Sequence, residues 1–223
     1  GAGGVDEGER MKTDDLIAML ATGVAPVDPQ LAAKRFRTGL GAGVLGALLL
    51  LLSLYGLNPQ LQEVARLPMF WGKLAYPASL AAIALLLAQR LSHPGVPLGR
   101  APAALLLPIL AIALLAIWVL AQAAAPQRPA LLLGQTWKTC ALSIALVSTP
   151  VFVAVLWIMK GLAPTRLRHA GAAAGLLAST LGALVYALHC PEIEAPFLLV
   201  WYGAGMAIPV AVGALLGPKL LRW

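Results

Sequence analysis

Charge is scarce in this sequence: Asp, Glu, Lys and Arg together make up 11% of its 223 residues, whereas 60% are hydrophobic. A soluble domain carries about 25% charged residues, so the shortage excludes an ordinary soluble domain and points to a membrane protein. Cysteine is scarce as well. Two thiols cannot build a disulfide-rich secreted scaffold, which needs several bridges in a short chain; they are free thiols, one bridge or a sensor. Aromatic residues are few, 6%, and no basic patch interleaves with them. The formal charge of +7 therefore does not describe a nucleic-acid-binding face. In a chain with long uncharged stretches, basic residues mark the cytoplasmic ends of helices instead.

The apolar runs are also poor in chemistry. Their central portions contain no Asp, Glu, Lys, Arg or His, the groups that proton- and ion-coupled transporters place at mid-membrane. Serines within the runs have no neighbouring His or Asp to form a hydrolase site. His93, His169 and His189 stand apart with no H-x-x-x-H spacing, so no metal motif and no cofactor motif is present. Gly41-Ala42-Gly43-Val44-Leu45-Gly46 matches G-x-G-x-x-G, but that motif serves dinucleotides only after a strand and before a distant acid. Here it sits inside an uncharged run. The glycine pairs 39 and 43, 171 and 175, and 213 and 217 have the spacing that lets membrane helices approach closely.

What is present is six apolar stretches of bilayer-spanning length, near 39–57, 72–89, 101–124, 140–159, 170–189 and 195–217. Turn residues separate them, Asn58-Pro59 and Cys190-Pro191 among them. The expected fold class is all-α: a polytopic membrane protein of six transmembrane helices behind a short cytoplasmic N-terminal helical segment. Twelve of the sixteen basic residues fall on the side that holds both termini, while Arg66, Lys73, Arg128 and Lys138 fall on the other. The positive-inside rule then places both termini in the cytoplasm. Phe70, Trp71, Trp118, Trp137, Tyr186, Trp201 and Tyr202 are expected near the outer interface.

Residues 1–10, glycine-rich and polar, precede Met11 and read as a tag remnant or an upstream extension; no cleavable signal peptide is visible. Residues 11–38 form the cytoplasmic segment. Thr13 is its expected N-cap, Asp14 and Asp15 suit the positive end of a helix dipole, and Gly23 suits the far end. Leu16, Ile17 and Leu20 share one face. A helix of about ten residues is too short to stand alone in water, so it lies on lipid or docks into a partner. A linker from Pro26 to Pro29 follows.

Cys140 opens the fourth span and Cys190 closes the fifth, each 25 residues from Thr165 in the loop between them. An antiparallel hairpin brings both to one height on the outer side. Packed helix axes lie about 8–10 Å apart, which allows the ~4.4–6.8 Å Cα separation of a disulfide. The dipole at a helix N-terminus favours a Cys140 thiolate, and His189 beside Cys190 would add an imidazole to two soft sulfurs for a thiophilic metal. Two buried packing residues, the usual fate of free cysteine, are the alternative.

The opening 11–17, the six spans, Cys140 at the outer end of the fourth, "LHCPE" at 188–192 and the closing "LVWYGAG" to "GALLGPKLLRW" resemble the NrsF family of bacterial membrane-bound anti-sigma factors. The resemblance implies a non-enzymatic regulator at the inner membrane. It would hold an extracytoplasmic-function sigma factor through the cytoplasmic segment, where Asp14, Asp15, Leu16, Ile17 and Leu20 are the candidate contacts. It would release that factor when heavy-metal or oxidant stress reaches Cys140 and Cys190 in the sensor domain, residues 39–223. A small-molecule or metal permease that uses the thiols where its substrate enters is the alternative.

Overall fold

The computed structural model describes residues 13–22 and 31–222, and every regular element among them is helical. Six helices or runs of helices are long and apolar enough to cross a membrane: Ala33–Leu54, Pro68–Leu91, Ala101–Gln122, Ala125–Lys160, Leu167–Tyr186 and Ala195–Leu220. The six expected spans are all present, with shifted ends. Residues 1–12, Gly23 and the Pro26 to Pro29 linker lie outside the described residues.

Helix α1, Thr13–Ala21, carries Asp14 and Asp15 in its first turn. Thr13 is its first helical residue rather than its cap, a one-residue difference within the usual scatter of helix ends. Leu16, Ile17 and Leu20 are all exposed. The first span, α2 (Leu31–Leu54), starts eight residues before the apolar run because Lys34, Arg35 and Arg37 are good helix formers. A single turn, α3 (Leu61–Val64), leads to the second span, α4 (Pro68–Leu91). Two pieces in succession, α5 (Ala101–Ala104) and α6 (Leu106–Gln122), form the third.

The fourth segment departs most from expectation. In place of one helix over 140–159 there are a 3₁₀ turn (Ala125–Gln127) and three helices, α7 (Arg128–Leu133), α8 (Trp137–Val147) and α9 (Thr149–Lys160). Gly134 separates α7 from α8 with φ of +54°, a conformation that favours a residue without Cβ. Ser148 separates α8 from α9 because Pro150 has no N–H for the helix ladder. The Ser148 hydroxyl donates to the Ile144 carbonyl at 2.6 Å. Helix α10 (Leu167–Tyr186) makes the fifth span, and α11 (Ala195–Phe197), a π turn (Leu198–Tyr202) and α12 (Gly203–Leu220) make the sixth.

Helix α10 is the axis of the bundle and packs on α12, α4, α9, α8 and α2. Its glycines set the closest approach. A Cβ on Gly171 would overlap the Gly213 carbonyl oxygen, and one on Gly175 would overlap that of Pro209, so the GxxxG spacings do bring backbone against backbone. The G-x-G-x-x-G stretch is a packing surface as well: Gly43 faces Val151 and Ala154, and Gly46 faces Pro150, on or beside α9. One end of the bundle gathers the start of α4, the start of α8 and the end of α10, with both cysteines. The opposite end is basic, where the Arg35 guanidinium donates to the Gly161 carbonyl at 3.3 Å and Arg90 donates to that of Leu98 at 2.6 Å. Tyr186 and Tyr202 do not form an interfacial belt. They are buried inside the cysteine end, as is Phe70.

Candidate functional site

Cys140 lies in the first turn of α8, its amide donating to the Thr136 carbonyl at 2.9 Å; Cys190 lies in the turn that ends α10, its amide donating to that of Tyr186 at 3.0 Å. The hairpin between them carries the two sulfurs to one height, and they meet. Both are free thiols, near enough for each to act on the other's ionisation, with 0% and 1% of their surfaces exposed. Thiols in contact and sealed from water form a dithiol that one oxidation step can close.

Glu192 pins the loop of one cysteine to the helix of the other. Its Oε1 accepts from the backbone amides of Gln135 at 2.6 Å and Thr136 at 3.3 Å and from the Thr136 hydroxyl at 3.5 Å. These lie at the start of α8, whose first amides have no partner within the helix. A Cβ on Gly134 would collide with the Glu192 carboxylate. The positive helix end, which the sequence offers to a Cys140 thiolate, is thus taken by Glu192.

Lys73 is the residue that the sequence reading places on the outer surface and the structure places in the interior. It is 0% exposed, and among the described residues it is the buried charged side chain. Its Nζ donates to the Cys190 carbonyl at 2.5 Å and stands 5.9 Å from the centre of the Tyr202 ring, a cation–π distance. The π turn delivers Tyr202 to this spot. Its hydroxyl, fully buried beside the Cys190 sulfur, is the buried side-chain polar atom among the described residues that has no well-formed hydrogen bond. The signal for Lys73 was in the sequence: a lysine between Gly72 and Leu74 in an apolar run costs free energy unless something compensates it.

Tyr55, Tyr186 and His189 close the cluster. The Tyr55 hydroxyl donates to the Ser143 hydroxyl at 2.9 Å, and the Tyr55 and Tyr186 rings meet edge to face at 6.1 Å. His189 turns Nδ1 to the Gly56 carbonyl at 3.2 Å, which makes Nδ1 the protonated nitrogen, and packs on both tyrosines. Its imidazole is engaged there. Among the described residues no three His, Cys, Asp or Glu side chains gather so as to hold a metal ion. Electrostatically the two sulfurs differ. The neighbouring Cys140 thiol and then the Lys73 ammonium favour a Cys190 thiolate strongly enough to outweigh burial, and hold that thiol below its ordinary pKa. Asp14, Asp15, Leu16, Ile17 and Leu20 stand on α1, exposed and outside this cluster.

Fold and site together define a polytopic helical membrane protein that, among its described residues, closes two thiols into one end of the bundle and carries an exposed helix at its N-terminal side. The family model described as "Negative regulator of sigma F" matches residues 20–223. A probable anti-sigma-F factor NrsF of Azospira oryzae is 50% identical over 213 residues, 96% of this chain and all of that protein. The anti-sigma-F factor NrsF of Caulobacter vibrioides is 35% identical over 221 residues, again 96% of this chain and all of that protein. The chain belongs to the NrsF family of anti-sigma factors. No solved structure matches it.

Proposed function

We propose that this protein holds an extracytoplasmic-function sigma factor at the bacterial inner membrane through residues 11–38, and releases it when oxidant or heavy-metal stress reaches Cys140 and Cys190 from the periplasm. The observation that carries the sensing half is the contact between two thiols fifty residues apart in sequence, buried in an otherwise apolar bundle. For the binding half, the support is α1, whose apolar face Leu16, Ile17 and Leu20 is exposed and has the spacing of helix-in-groove recognition. Asp14 and Asp15 complement a basic sigma surface. The concentration of Lys and Arg at the end away from the thiols supports cytoplasmic termini. The permease alternative finds nothing in its favour, since the sulfurs are closed off rather than set at a mouth.

Release requires that the reduced and oxidised states differ in sigma affinity, by about 1–3 kcal/mol for an ordinary coupling, or roughly 5–150-fold. Purification of the intact protein from membranes should recover a sigma factor, and removal of residues 12–37 should abolish that recovery. An unchanged set of recovered proteins overturns the binding role. Cys140→Ser and Cys190→Ser should each blunt stress induction of the sigma target genes while sequestration persists; full induction in both variants returns the cysteines to packing residues.

A further inference from the structure

A fully buried lysine in a bundle poor in polar groups needs a compensating anion, because an ammonium without one costs several kcal/mol to bury. The candidates within reach of Lys73 are few. One oxygen of the Glu192 carboxylate is committed to the start of α8, and no hydrogen bond joins that carboxylate to Lys73, whose Nζ goes to the Cys190 carbonyl. Tyr202 offers a ring face and an unpartnered hydroxyl. The remaining group is the thiol pair, with the Cys190 carbonyl already fixing the Lys73 Nζ. The two sulfurs are also unlike each other in surroundings. Cys190 has its carbonyl bound by Lys73 and the Tyr202 hydroxyl beside its sulfur, and neither is so placed at Cys140.

We propose that Lys73 is the positioning counter-ion of the dithiol, so that Cys190 is the sulfur that attacks an oxidant and Cys140 is the sulfur that resolves it. The inference rests on the sensing reading above and assigns the order of events within it. The oxidant is a small hydroperoxide, ROOH, since the closed site bars bulky reagents. The Cys190 thiolate attacks the terminal oxygen; the S–O bond forms, the O–O bond breaks, and the alkoxide RO⁻ leaves and takes a proton from water. The sulfenic acid on Cys190 is then attacked by the Cys140 sulfur. The S–S bond forms, the S–O bond breaks, and hydroxide leaves with the Cys140 proton as water. The sum is one thiolate, one thiol, one hydroperoxide and one proton giving a disulfide, ROH and H₂O.

That sum has a structural consequence. The disulfide carries no charge, so Lys73 is left buried without its anion at the start of α4. The ammonium has to reach water, and the helix end that carries it has to move. Oxidation thereby reaches a helix that holds neither cysteine.

The test uses the full-length protein in lipid nanodiscs, hydrogen peroxide as the oxidant and peptide mass spectrometry after denaturation to locate the oxygen gained by each sulfur. Cys140→Ser should gain oxygen on Cys190, and Cys190→Ser should gain none on Cys140; oxygen gained on Cys140 overturns the order. In the Cys140→Ser background, Lys73→Met should slow oxidation of Cys190 by hydrogen peroxide at least tenfold at pH 7 and move its pH midpoint upward. The pH profile reports Cys190 as it is faced by Lys73, Tyr202, Tyr186 and Glu192, so Tyr202→Phe, which keeps the ring and removes the hydroxyl, is the second variant. It should move the midpoint the same way by less. Wild-type pH profiles in both variants overturn the counter-ion role. Lys73-dependent disulfide formation without sigma release supports this inference and overturns the sensing function. Oxidant-driven release that is unaltered in Lys73→Met supports the function and overturns the inference.

Discussion

Glu192 lies two residues beyond Cys190, yet the groups it satisfies belong to the helix that carries Cys140. In the sequence it reads as a charge marking the exit from the bilayer, because nothing local shows that α8 lacks a cap of its own. The N-cap residue Thr136 makes no side-chain cap bond, and the need is met from fifty-six residues away. Glu192→Ala should therefore destabilise the fold by about 1–2 kcal/mol, the usual cost of losing a cap. The measurement is thermal unfolding in detergent, where a drop of a few degrees is expected and an unchanged midpoint would show that the carboxylate is idle. The pairing of Cys140 with Cys190 was legible, since equal distances from a hairpin loop fix equal heights. A lysine in an apolar run announces itself, but what Lys73 pairs with does not: its neighbours Cys190 and Tyr202 come from spans five and six, and no spacing within its own helix announces them.

At the scale of elements, the six spans were legible because bilayer thickness imposes a length and an apolar composition that survive without any alignment. Their internal breaks were less so. Pro150 splits α8 from α9, while Pro77 and Pro209 sit inside continuous helices, so proline alone does not tell which helix yields. The π turn Leu198–Tyr202, which aims Tyr202 at the thiols, has no residue signature at all. Glycine was a better guide. Gly171 and Gly175 hold α10 against α12 at backbone contact, whereas Gly41 on α2 faces open space. Gly171→Ala should force the helices apart and cost on the order of 1–3 kcal/mol, as overpacking does. Gly41→Ala should be neutral or slightly stabilising, as alanine favours helix. Thermal unfolding of the two variants side by side decides the matter; equal stability would mean that the α10–α12 contact does not limit the fold.

Over the whole molecule, two kinds of polar chemistry are kept at opposite ends of an apolar bundle. The thiols, Lys73 and Glu192 lie at one end, and Arg35, Arg90, Lys160 and Arg166 lie by element order at the other. A regulator that reports from periplasm to cytoplasm needs this separation, and it depends on orientation. Both native cysteines are too buried to report sidedness by direct labelling, so introduced thiols must do it. In a protein with both cysteines changed to serine, Gln62→Cys, exposed on α3 at the thiol end, and Val96→Cys, exposed in the loop after α4 at the basic end, give one reporter per side. With both termini cytoplasmic, a membrane-impermeant maleimide added to intact cells should label position 62 at once and position 96 only after lysis. The opposite pattern would put the dithiol in the cytoplasm, where glutathione keeps thiols reduced. It would also leave α1 on the side of the membrane that holds no sigma factor.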